Sequence, residues 1–450
     1  MAIIVDGEAR IGKVCVVGLG KLGACIAAVL AGRGYKVVGI DVDPAKVDAL
    51  RQHRAPVEEP GLQQLIEQAS SRLQAASDWA NAIAQADAAF FVPATPSLPD
   101  GSFDNSYLVE ALRSAAQVVR AEKKEQFLFV VNSTVTPGSC DNVFKPLLEE
   151  TLKGKCGEDF GLCYNPEFIA LGDVIRGLLE PDFVLVGESD ELSGRRLEEI
   201  YRRLCTNSPP VLRMSNLNAE LAKISVNCFV TMKVSFVNQL TAVAARLPGA
   251  DARVILEAIG RDRRIGATYL KPGLGYGGPC FPRDNRLFQY VARVAGVEAA
   301  LAEAADRINE QVNERLYETV RVHARAGETV AVLGLAYKPN TNVIECSPGI
   351  WLCERLAQEG WSVLAHDYAA GETAARALSS GRVRVCPDPR QIFQEGCRAF
   401  VVTCPWPEYR ELFAKAGPSL KSGSVLIDPW SLLKESIALI QEINHIGILA

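Results

Sequence analysis

The sequence lacks the features that would suit a nucleic acid or a membrane as a partner. Its 450 residues carry 48 Lys and Arg against 53 Asp and Glu, a formal net charge of -5, so a basic stripe is not expected. Its apolar runs fall short of the roughly 20 residues that a membrane span needs. The first ten residues lack the basic and long apolar regions of a secretory signal. We therefore expect a cytoplasmic protein.

Histidine is scarce as well, with four residues, and the thirteen cysteines are scattered without a Cys-x-x-Cys pair. Zinc sites and disulfide frameworks both use characteristic cysteine and histidine spacings. The sequence therefore predicts neither of them. The chain is also longer than one hydrophobic core usually serves, and its hydrophobic content of 48% is sufficient for two or three domains.

Short apolar, β-branched runs alternate with helical stretches in two parts of the chain, a pattern typical of parallel α/β domains. The predicted strands of the first part are 13–17, 37–41, 88–92, 127–132, 161–164 and 183–187. Those of the second part are 330–333, 362–366, 399–403 and 424–427. The fold class is therefore α/β, with an N-terminal Rossmann domain and a C-terminal Rossmann-like domain.

Between these parts the sequence predicts helix. Helical apolar spacing continues over 215–247 without Pro or Gly, which indicates one long helix. Further helix is expected over 250–260 and 284–326. We place the domains at 1–210 for the Rossmann domain, 211–325 for the helical domain and 326–450 for the Rossmann-like domain.

A dinucleotide fingerprint follows the first predicted strand and opens a helix. The motif G-x-G-x-x-G is formed by Gly18, Leu19, Gly20, Lys21, Leu22 and Gly23. Its glycines permit a tight turn, the approach of a pyrophosphate and close packing of helix on strand. The next strand ends in Asp41, at the spacing where a carboxylate accepts from an adenosine ribose. These signals predict an NAD site, with a glycine-rich turn that binds nothing as the alternative.

The stretch from Tyr276 to Asp284 places Cys280 among glycines, where a substrate carbon could approach its thiolate. An isolated cysteine of this kind is more often a buried structural residue in a tight turn. On the long helix, Glu220, Lys223 and Asn227 fall on one stripe. Such a stripe is usually a solvated face, but its neighbours are mostly apolar, so we expect it to be buried and to need partners.

At this point the chain resembles the UDP-glucose/GDP-mannose dehydrogenase family. The matching motifs occur in the order of that family at 18–23, 132–135, 165–168, 220–227, 262–266, 276–284 and 334–341. The resemblance implies oxidation of the C6 alcohol of a nucleotide sugar, which we expect to be a UDP-sugar, to a carboxylate. Two NAD molecules would accept the two hydrides in turn, and a homodimer is implied.

The resemblance also implies a role for each matching residue. Lys223 and Asp284, with a water, would help to remove the alcohol proton, and Cys280 would form a thiohemiacetal whose oxyanion Lys223 and Asn227 stabilise. Glu167 would orient the water that releases the acid from the resulting thioester. Further positions are assigned to the reacting atoms (Thr134), to the cofactor (Lys46, Thr95 and Thr134) and to the nucleotide sugar (Phe168, Ile169, Lys271, Tyr276, Gly277, Lys338 and, across a dimer interface, Arg264).

Four departures from the family pattern are visible. Leu171 stands where many relatives carry a second glutamate, Glu345 and Trp430 stand where relatives carry arginines, and Arg283 replaces a lysine. The loss of one carboxylate and two arginines predicts a change in the preferred sugar nucleotide. A single-step β-hydroxyacid dehydrogenase is one alternative, although it needs neither Cys280 nor a second α/β domain. A non-catalytic sensor of NAD or nucleotide sugar is the other.

We expect Asp41 to set cofactor choice, because its carboxylate should accept from the ribose 2'-hydroxyl and repel a 2'-phosphate. NAD should therefore be used with clearly higher catalytic efficiency than NADP. Steady-state kinetics of the unmodified protein with each cofactor measure this, and equal efficiencies would contradict it.

Overall fold

The computed structural model describes residues 4–5, 8–9, 11–169, 171–416, 420, 423–434 and 444–446. The chain divides into two compact units, Met1–Ser225 and Val226–Ala450. Within the described ranges, the helices lack a stretch with the length and hydropathy of a transmembrane segment.

The first unit contains a short antiparallel pair of strands and an eight-stranded sheet. Its strands are β1 (Ile4–Val5), β2 (Glu8–Ala9), β3 (Lys13–Val17), β4 (Lys36–Ile40), β5 (Leu73–Ala75), β6 (Ala88–Phe91), β7 (Phe127–Val131), β8 (Phe160–Tyr164), β9 (Val184–Glu188) and β10 (Val211–Ser215). The large sheet has the order β10-β9-β8-β7-β6-β3-β4-β5. The six strands from β8 to β5 are parallel and have the order of dinucleotide-binding folds.

Helices connect these strands and cover both faces of the sheet. They are α1 (Lys21–Gly32), α2 (Pro44–Arg51), α3 (Leu62–Ala69), α4 (Trp79–Ile83), α5 (Ser106–Ala121), α6 (Lys145–Leu152), α7 (Val174–Leu179) and α8 (Glu191–Leu204), with a π-helical turn at Cys140–Phe144. Val14 and Val16 of β3 belong to one hydrophobic core, and Cys15 and Val17 to another. This strand is therefore apolar from Val14 to Val17 because both of its faces are buried there.

The long helix α9 (Asn216–Ala244) follows, and the boundary between the two units falls within it. In the second unit the helices are α10 (Ala252–Gly260), α11 (Phe281–Val294), α12 (Ala300–His323), α13 (Pro348–Gln358), α14 (Gly371–Ala377), α15 (Gln391–Gln394) and α16 (Glu408–Ala416). Its strands are β11 (Thr329–Leu333), β12 (Ser362–His366), β13 (Val383–Val385), β14 (Ala399–Val402), β15 (Val425–Ile427) and β16 (Asn444–Ile446).

The second sheet repeats the strand order of the first. All six strands are parallel in the order β13-β12-β11-β14-β15-β16. In the first unit, a β-carbon at Gly23 would lie 1.8 Å from the carbonyl oxygen of Gly18, so only glycine lets α1 pack on β3. In the second unit, a β-carbon at Gly349 would lie 2.1 Å from the carbonyl oxygen of Gly334. Gly334 and Gly349 of the second unit thus make the same close approach as Gly18 and Gly23 of the first unit, with a longer loop between them.

The structure confirms the predicted fold class and differs from the sequence prediction in detail. Strands β1, β2, β5, β10, β13 and β16 were not predicted. The strands β9 and β10 run antiparallel to the rest of their sheet, where a parallel sheet was expected.

The helix expected over 284–326 is two helices, α11 and α12, so that prediction was wrong. Gly296 ends α11 in a left-handed conformation with φ of +71°. The N–H groups of Gly296 and Val297 close the end by donating to the carbonyl oxygens of Arg293 and Ala292, at 3.1 and 2.9 Å.

Candidate active site

The candidate cofactor residues lie along one edge of the first sheet. Parallel strands bring their carboxyl ends to the same edge, where open α/β sheets bind ligands. The positions that follow β3, β4, β6, β7 and β8 are the glycine loop 18–23, Asp41, Thr95, Thr134 and Glu167. Five strands therefore supply the residues that the sequence assigns to one site.

The glycine loop has the form that a bound pyrophosphate needs. Gly18 has φ of +95°, and a β-carbon there would lie 2.9 Å from the carbonyl oxygen of Val92. Around Gly20, which precedes the first turn of α1, a β-carbon would meet open space. The backbone N–H groups at this helix end can thus be approached by an anion. The loop fits the NAD that its sequence predicts.

Asp41 holds the glycine loop from the end of the neighbouring strand. Its carboxylate accepts hydrogen bonds from the backbone N–H of Leu19 at 2.6 Å and of Asp43 at 2.8 Å. Lys46 pairs with it at 3.4 Å. The side chain of Leu19 is buried, so any contact of this residue with a cofactor would come from its backbone.

The loop after β7 is fixed from two sides. Thr95 donates its hydroxyl hydrogen to the carbonyl oxygen of Thr134 at 2.7 Å. On the other side, the buried carboxylate of Glu220 accepts from the backbone N–H groups of Gly138 at 2.5 Å and Cys140 at 2.9 Å. Burial raises the pKa of Glu220. This residue of the polar stripe therefore anchors the loop that carries Thr134.

Lys223, one turn further along α9, is also buried, at 7% exposure. Its ammonium donates to the carbonyl oxygen of Glu167 at 2.7 Å and lies 4.8 Å from the centre of the Phe168 ring. Burial raises the pKa of Glu167 to about 7, against the opposing effect of the Lys223 charge. A buried lysine, a carbonyl and a carboxyl that titrates near neutrality thus share one neighbourhood in the first unit.

In the second unit, Cys280 is exposed and immediately precedes α11. Its carbonyl oxygen accepts the N–H of Asp284 at 2.9 Å in the first turn of that helix. A helix N-terminus stabilises negative charge, so the position suits a thiolate. The alternative of a buried structural cysteine is wrong for this residue.

Asp284 connects the segment that contains Cys280, called the reactive loop below, to the long helix α9 through a hydrogen bond. It is 3% exposed, and its carboxylate accepts from Asn227 Nδ2 at 2.5 Å. Next to it, the fully buried Asn285 lies 3.2 Å from the Thr231 hydroxyl and donates to Asp306 at 2.8 Å. The predicted pair Asn227 and Asp284 is therefore brought into direct contact.

Glycines before Cys280 admit close neighbours from other elements of the second unit. A β-carbon at Gly278, where φ is +82°, would lie 2.6 Å from Tyr337 Cε2. Each of the others would place a β-carbon 2.3 Å from a neighbouring atom: Gly273 from Trp430 Cζ3, Gly275 from Asn309 Oδ1, and Gly277 from the carbonyl oxygen of Cys346. The loop is thereby held against the loops after β11 and β15.

Three of the residues that depart from the family pattern have identifiable surroundings in the structure. Leu171 packs against the first hydrophobic core of its unit, as an apolar residue rather than a ligand. The carbonyl oxygen of Glu345 accepts the N–H of Gly278 at 2.8 Å, while its side chain is exposed. Trp430 lies on Gly273. Two of the changed positions thus contact the reactive loop.

Other predicted substrate residues are more dispersed. Arg264, with 89% of its side chain exposed, pairs with Asp262 at 2.7 Å, and Lys271 is exposed. Tyr276 donates its hydroxyl hydrogen to Asp306 at 2.6 Å, and the Lys338 ammonium lies 5.8 Å from the centre of the Tyr337 ring. Ile169 packs beside Gly177 in the first unit.

Two tyrosines that contact these residues were not predicted from the sequence. Tyr337 directly precedes Lys338 in a motif that the sequence did identify, so that motif could have indicated it. Tyr201 lies 34 residues from Glu167, which it contacts at 2.6 Å, and the sequence around it carries no signal of that contact.

Models of one family match three segments of the chain. The NAD binding domain of the UDP-glucose/GDP-mannose dehydrogenase family matches residues 12–205, the central domain 217–311 and the UDP binding domain 331–435.

Individual proteins are similar over most of the chain. It is 36% identical over 364 residues to the UDP-glucose 6-dehydrogenase AglM of Haloferax volcanii, covering 80% of this chain and 84% of that protein. It is 33% identical over 359 residues to a GDP-mannose 6-dehydrogenase of Azotobacter vinelandii, covering 79% and 81%. A solved UDP-glucose dehydrogenase from the archaeon Pyrobaculum islandicum has a TM-score of 0.87 at 32% identity over 99% of both chains.

We expect Asn227→Asp to create a pH-dependent loss of stability, because two carboxylates in direct contact cannot both ionise at low cost. The folded-state pKa of the pair rises above the unfolded value of about 3.9, so stability is lost as the pH rises. The deficit relative to wild type should grow by about 1.4 kcal/mol per pH unit until the raised pKa is passed.

Urea unfolding at pH 5 and pH 7.5 measures this deficit. Asn218→Asp is the matched control, since it adds the same charge at an exposed position of α9 and should show little change. An equal deficit for Asn227→Asp at both pH values would contradict the contact.

Proposed function

Because the chain belongs to the UDP-glucose/GDP-mannose dehydrogenase family and is an NAD-dependent nucleotide-sugar 6-dehydrogenase, we propose that it oxidises the C6 alcohol of a UDP-sugar to a carboxylate in four electrons. The observation that carries this proposal is the exposed Cys280 at the start of α11, on a loop packed against the loop that contains Lys338. The segment with Lys338 matches the family's UDP binding domain, which supports this part of the second unit as the place where the nucleotide of the substrate binds.

NAD supplies the hydride acceptor for both oxidations, and the glycine loop with Asp41, Lys46, Thr95 and Thr134 would hold it. In the first step, Lys223 and Asp284 with a water assist removal of the alcohol proton as hydride leaves C6. The carboxylate of Asp284 is positioned for this by its hydrogen bond from Asn227.

The Cys280 thiolate then adds to the C6 aldehyde and forms a thiohemiacetal. Lys223 and Asn227 donate to its oxyanion. Loss of the second hydride gives a thioester, and a water oriented by Glu167 cleaves the carbon–sulfur bond. The sugar acid leaves and the thiol is restored. Phe168, Ile169, Lys271, Tyr276, Gly277 and Lys338 bind the nucleotide sugar.

We also propose that two chains pair through α9. Val226, Phe229, Phe236 and Val243 fall at spacings of three and seven on this helix, which is one stripe, and they are 38 to 61% exposed. A continuous exposed apolar stripe of this kind is typical of a protein interface. The exposed Arg264 then completes the nucleotide-sugar site of the neighbouring chain.

If Cys280 is the nucleophile, turnover of the preferred UDP-sugar should yield two NADH per sugar acid. Cys280→Ser should fail at the second oxidation, because a serine hydroxyl is a far poorer nucleophile near neutral pH, while binding is largely spared. Lys223→Ala should slow oxyanion formation by on the order of a hundredfold or more.

Product stoichiometry over a panel of UDP- and GDP-sugars is the measurement. Cys346→Ser is the control, since this exposed thiol lies in a neighbouring loop and its loss should leave two NADH per substrate. One NADH per substrate, with a stable carbonyl product and full activity in Cys280→Ser, would falsify the mechanism.

If Arg264 serves the partner chain, mixing Arg264→Ala with Cys280→Ser chains should restore part of the activity. One site of each hybrid dimer then holds both wild-type residues. Activity of the mixture is compared with that of each variant alone, after subunit exchange has been demonstrated with tagged chains. Exchange without recovery would count against the shared site.

A further inference from the structure

Glu167 lies at the end of a chain of polar side chains beneath β7 and β8. The hydroxyl oxygen of Tyr201, on α8, lies 2.6 Å from Glu167 Oε1 and 2.5 Å from Asn165 Oδ1. Tyr201, Asn165 and Asn132 are 3%, 1% and 2% exposed. A tyrosine hydroxyl has a single hydrogen, yet two oxygens lie within hydrogen-bond distance of it.

Main-chain carbonyls fix the orientation of both asparagine amides. Asn165 Nδ2 donates to the carbonyl oxygen of Leu185 at 2.9 Å, and Asn132 Nδ2 donates to the carbonyl oxygen of Asn165 at 2.8 Å. Exchanging oxygen and nitrogen in either amide would bring two acceptors to these distances. Asn165 Oδ1 therefore faces Tyr201 as an acceptor.

The positions of the remaining hydrogens follow from this orientation. Asn165 Oδ1 also accepts from Asn132 Nδ2 at 3.1 Å. We place the Tyr201 hydrogen in its contact with Asn165, the shorter of its two contacts, because otherwise two oxygen atoms would meet at 2.5 Å in a buried site without a hydrogen between them. The contact with Glu167 then needs a hydrogen from the carboxyl group, and both contacts of the Tyr201 hydroxyl contain a hydrogen when Glu167 is neutral and donates to Tyr201.

We propose that Tyr201 is a positioning residue that accepts a hydrogen bond from the protonated carboxyl of Glu167 and so favours the neutral form of this group. The inference rests on the proposed function in one respect, the role of Glu167 in orienting the water that releases the acid. Once Glu167 has lost its proton to solvent, its carboxylate is able to accept a hydrogen bond from a water.

The charged and titratable groups around Glu167 act in different directions. Burial favours the neutral form of Glu167 and is the largest effect, whereas a hydrogen bond donated by Tyr201 to the ionised carboxylate and the charge of Lys223, from α9, favour the ionised form. Cys205, which follows α8, has its thiol pKa raised by burial to about 11 and stays neutral near Glu167. Tyr201, from α8, supplies the acceptor.

The direction in which the pKa of Glu167 changes in Tyr201→Phe shows whether the Tyr201 hydroxyl accepts or donates the hydrogen bond. Loss of an acceptor for the Glu167 proton lowers the pKa of Glu167. Loss of a hydroxyl that donated to the carboxylate would instead raise it. We expect the pKa to fall from about 7 in wild type.

Infrared difference spectra measure the titration of Glu167 in the absence of turnover. Subtracting Glu167→Gln from wild type isolates the protonated carboxyl band, which should be present at pH 6 and disappear as the pH rises through about 7. Subtracting the double variant Tyr201→Phe/Glu167→Gln from Tyr201→Phe should show the band disappearing at lower pH. A wild type without the band at pH 6 overturns the proposal, as does a band that persists to higher pH in Tyr201→Phe.

Tyr35→Phe is the matched control, because Tyr35 is another buried tyrosine of the first unit, packed under Arg203. It should leave the Glu167 titration unchanged. In turnover, the acidic limb of kcat should move to lower pH in Tyr201→Phe, with KM for the nucleotide sugar unchanged. A shifted infrared titration with an unmoved limb supports the contact between Tyr201 and Glu167 and overturns the role of Glu167 in acid release.

Discussion

The position of the loop that precedes Cys280 depends on one constraint. At the glycines of residues 273–278, its backbone lies very close to neighbouring residues. A methyl group at any of these glycines would overlap a neighbouring side chain or carbonyl. The contacts made possible by its absence hold the loop against Tyr337 and Trp430. Cys280 follows directly and starts α11, whose Asp284 is bonded to Asn227. Cys280 is thus placed by packing on one side and by a buried hydrogen bond on the other.

Three buried polar groups on α9 follow the same principle, since each of the three has a partner in a different element. Glu220 binds backbone N–H groups of the loop after β7, Lys223 binds the carbonyl oxygen of Glu167, and Asn227 binds Asp284. An unpaired polar group in such a setting costs about 1–3 kcal/mol. The stripe is therefore a set of three anchors, and the apolar residues exposed on the same helix are a separate surface.

The family match confirms an NAD-dependent nucleotide-sugar dehydrogenase over both the single-step β-hydroxyacid dehydrogenase and the non-catalytic sensor. The departures at Glu345 and Trp430 contact the loop that precedes Cys280, so they bear on the shape of the nucleotide-sugar site. Leu171 belongs to a hydrophobic core instead. Specificity is therefore expected to be decided in the second unit.

The sequence by itself determined the fold class, the glycine loop with Asp41, and the candidates Cys280, Lys223, Asn227 and Asp284, because turn glycines, strand periodicity and ordered motifs are local signals. It missed short or edge strands such as β5 and β13, and it joined α11 to α12 across Gly296, because single glycines also occur within helices. Only the tertiary structure decided which neighbours fill the space at Gly273 and Gly278, and which side chains contact Tyr201. Those depend on atoms brought together from distant positions, and the chain order contains no record of their distances.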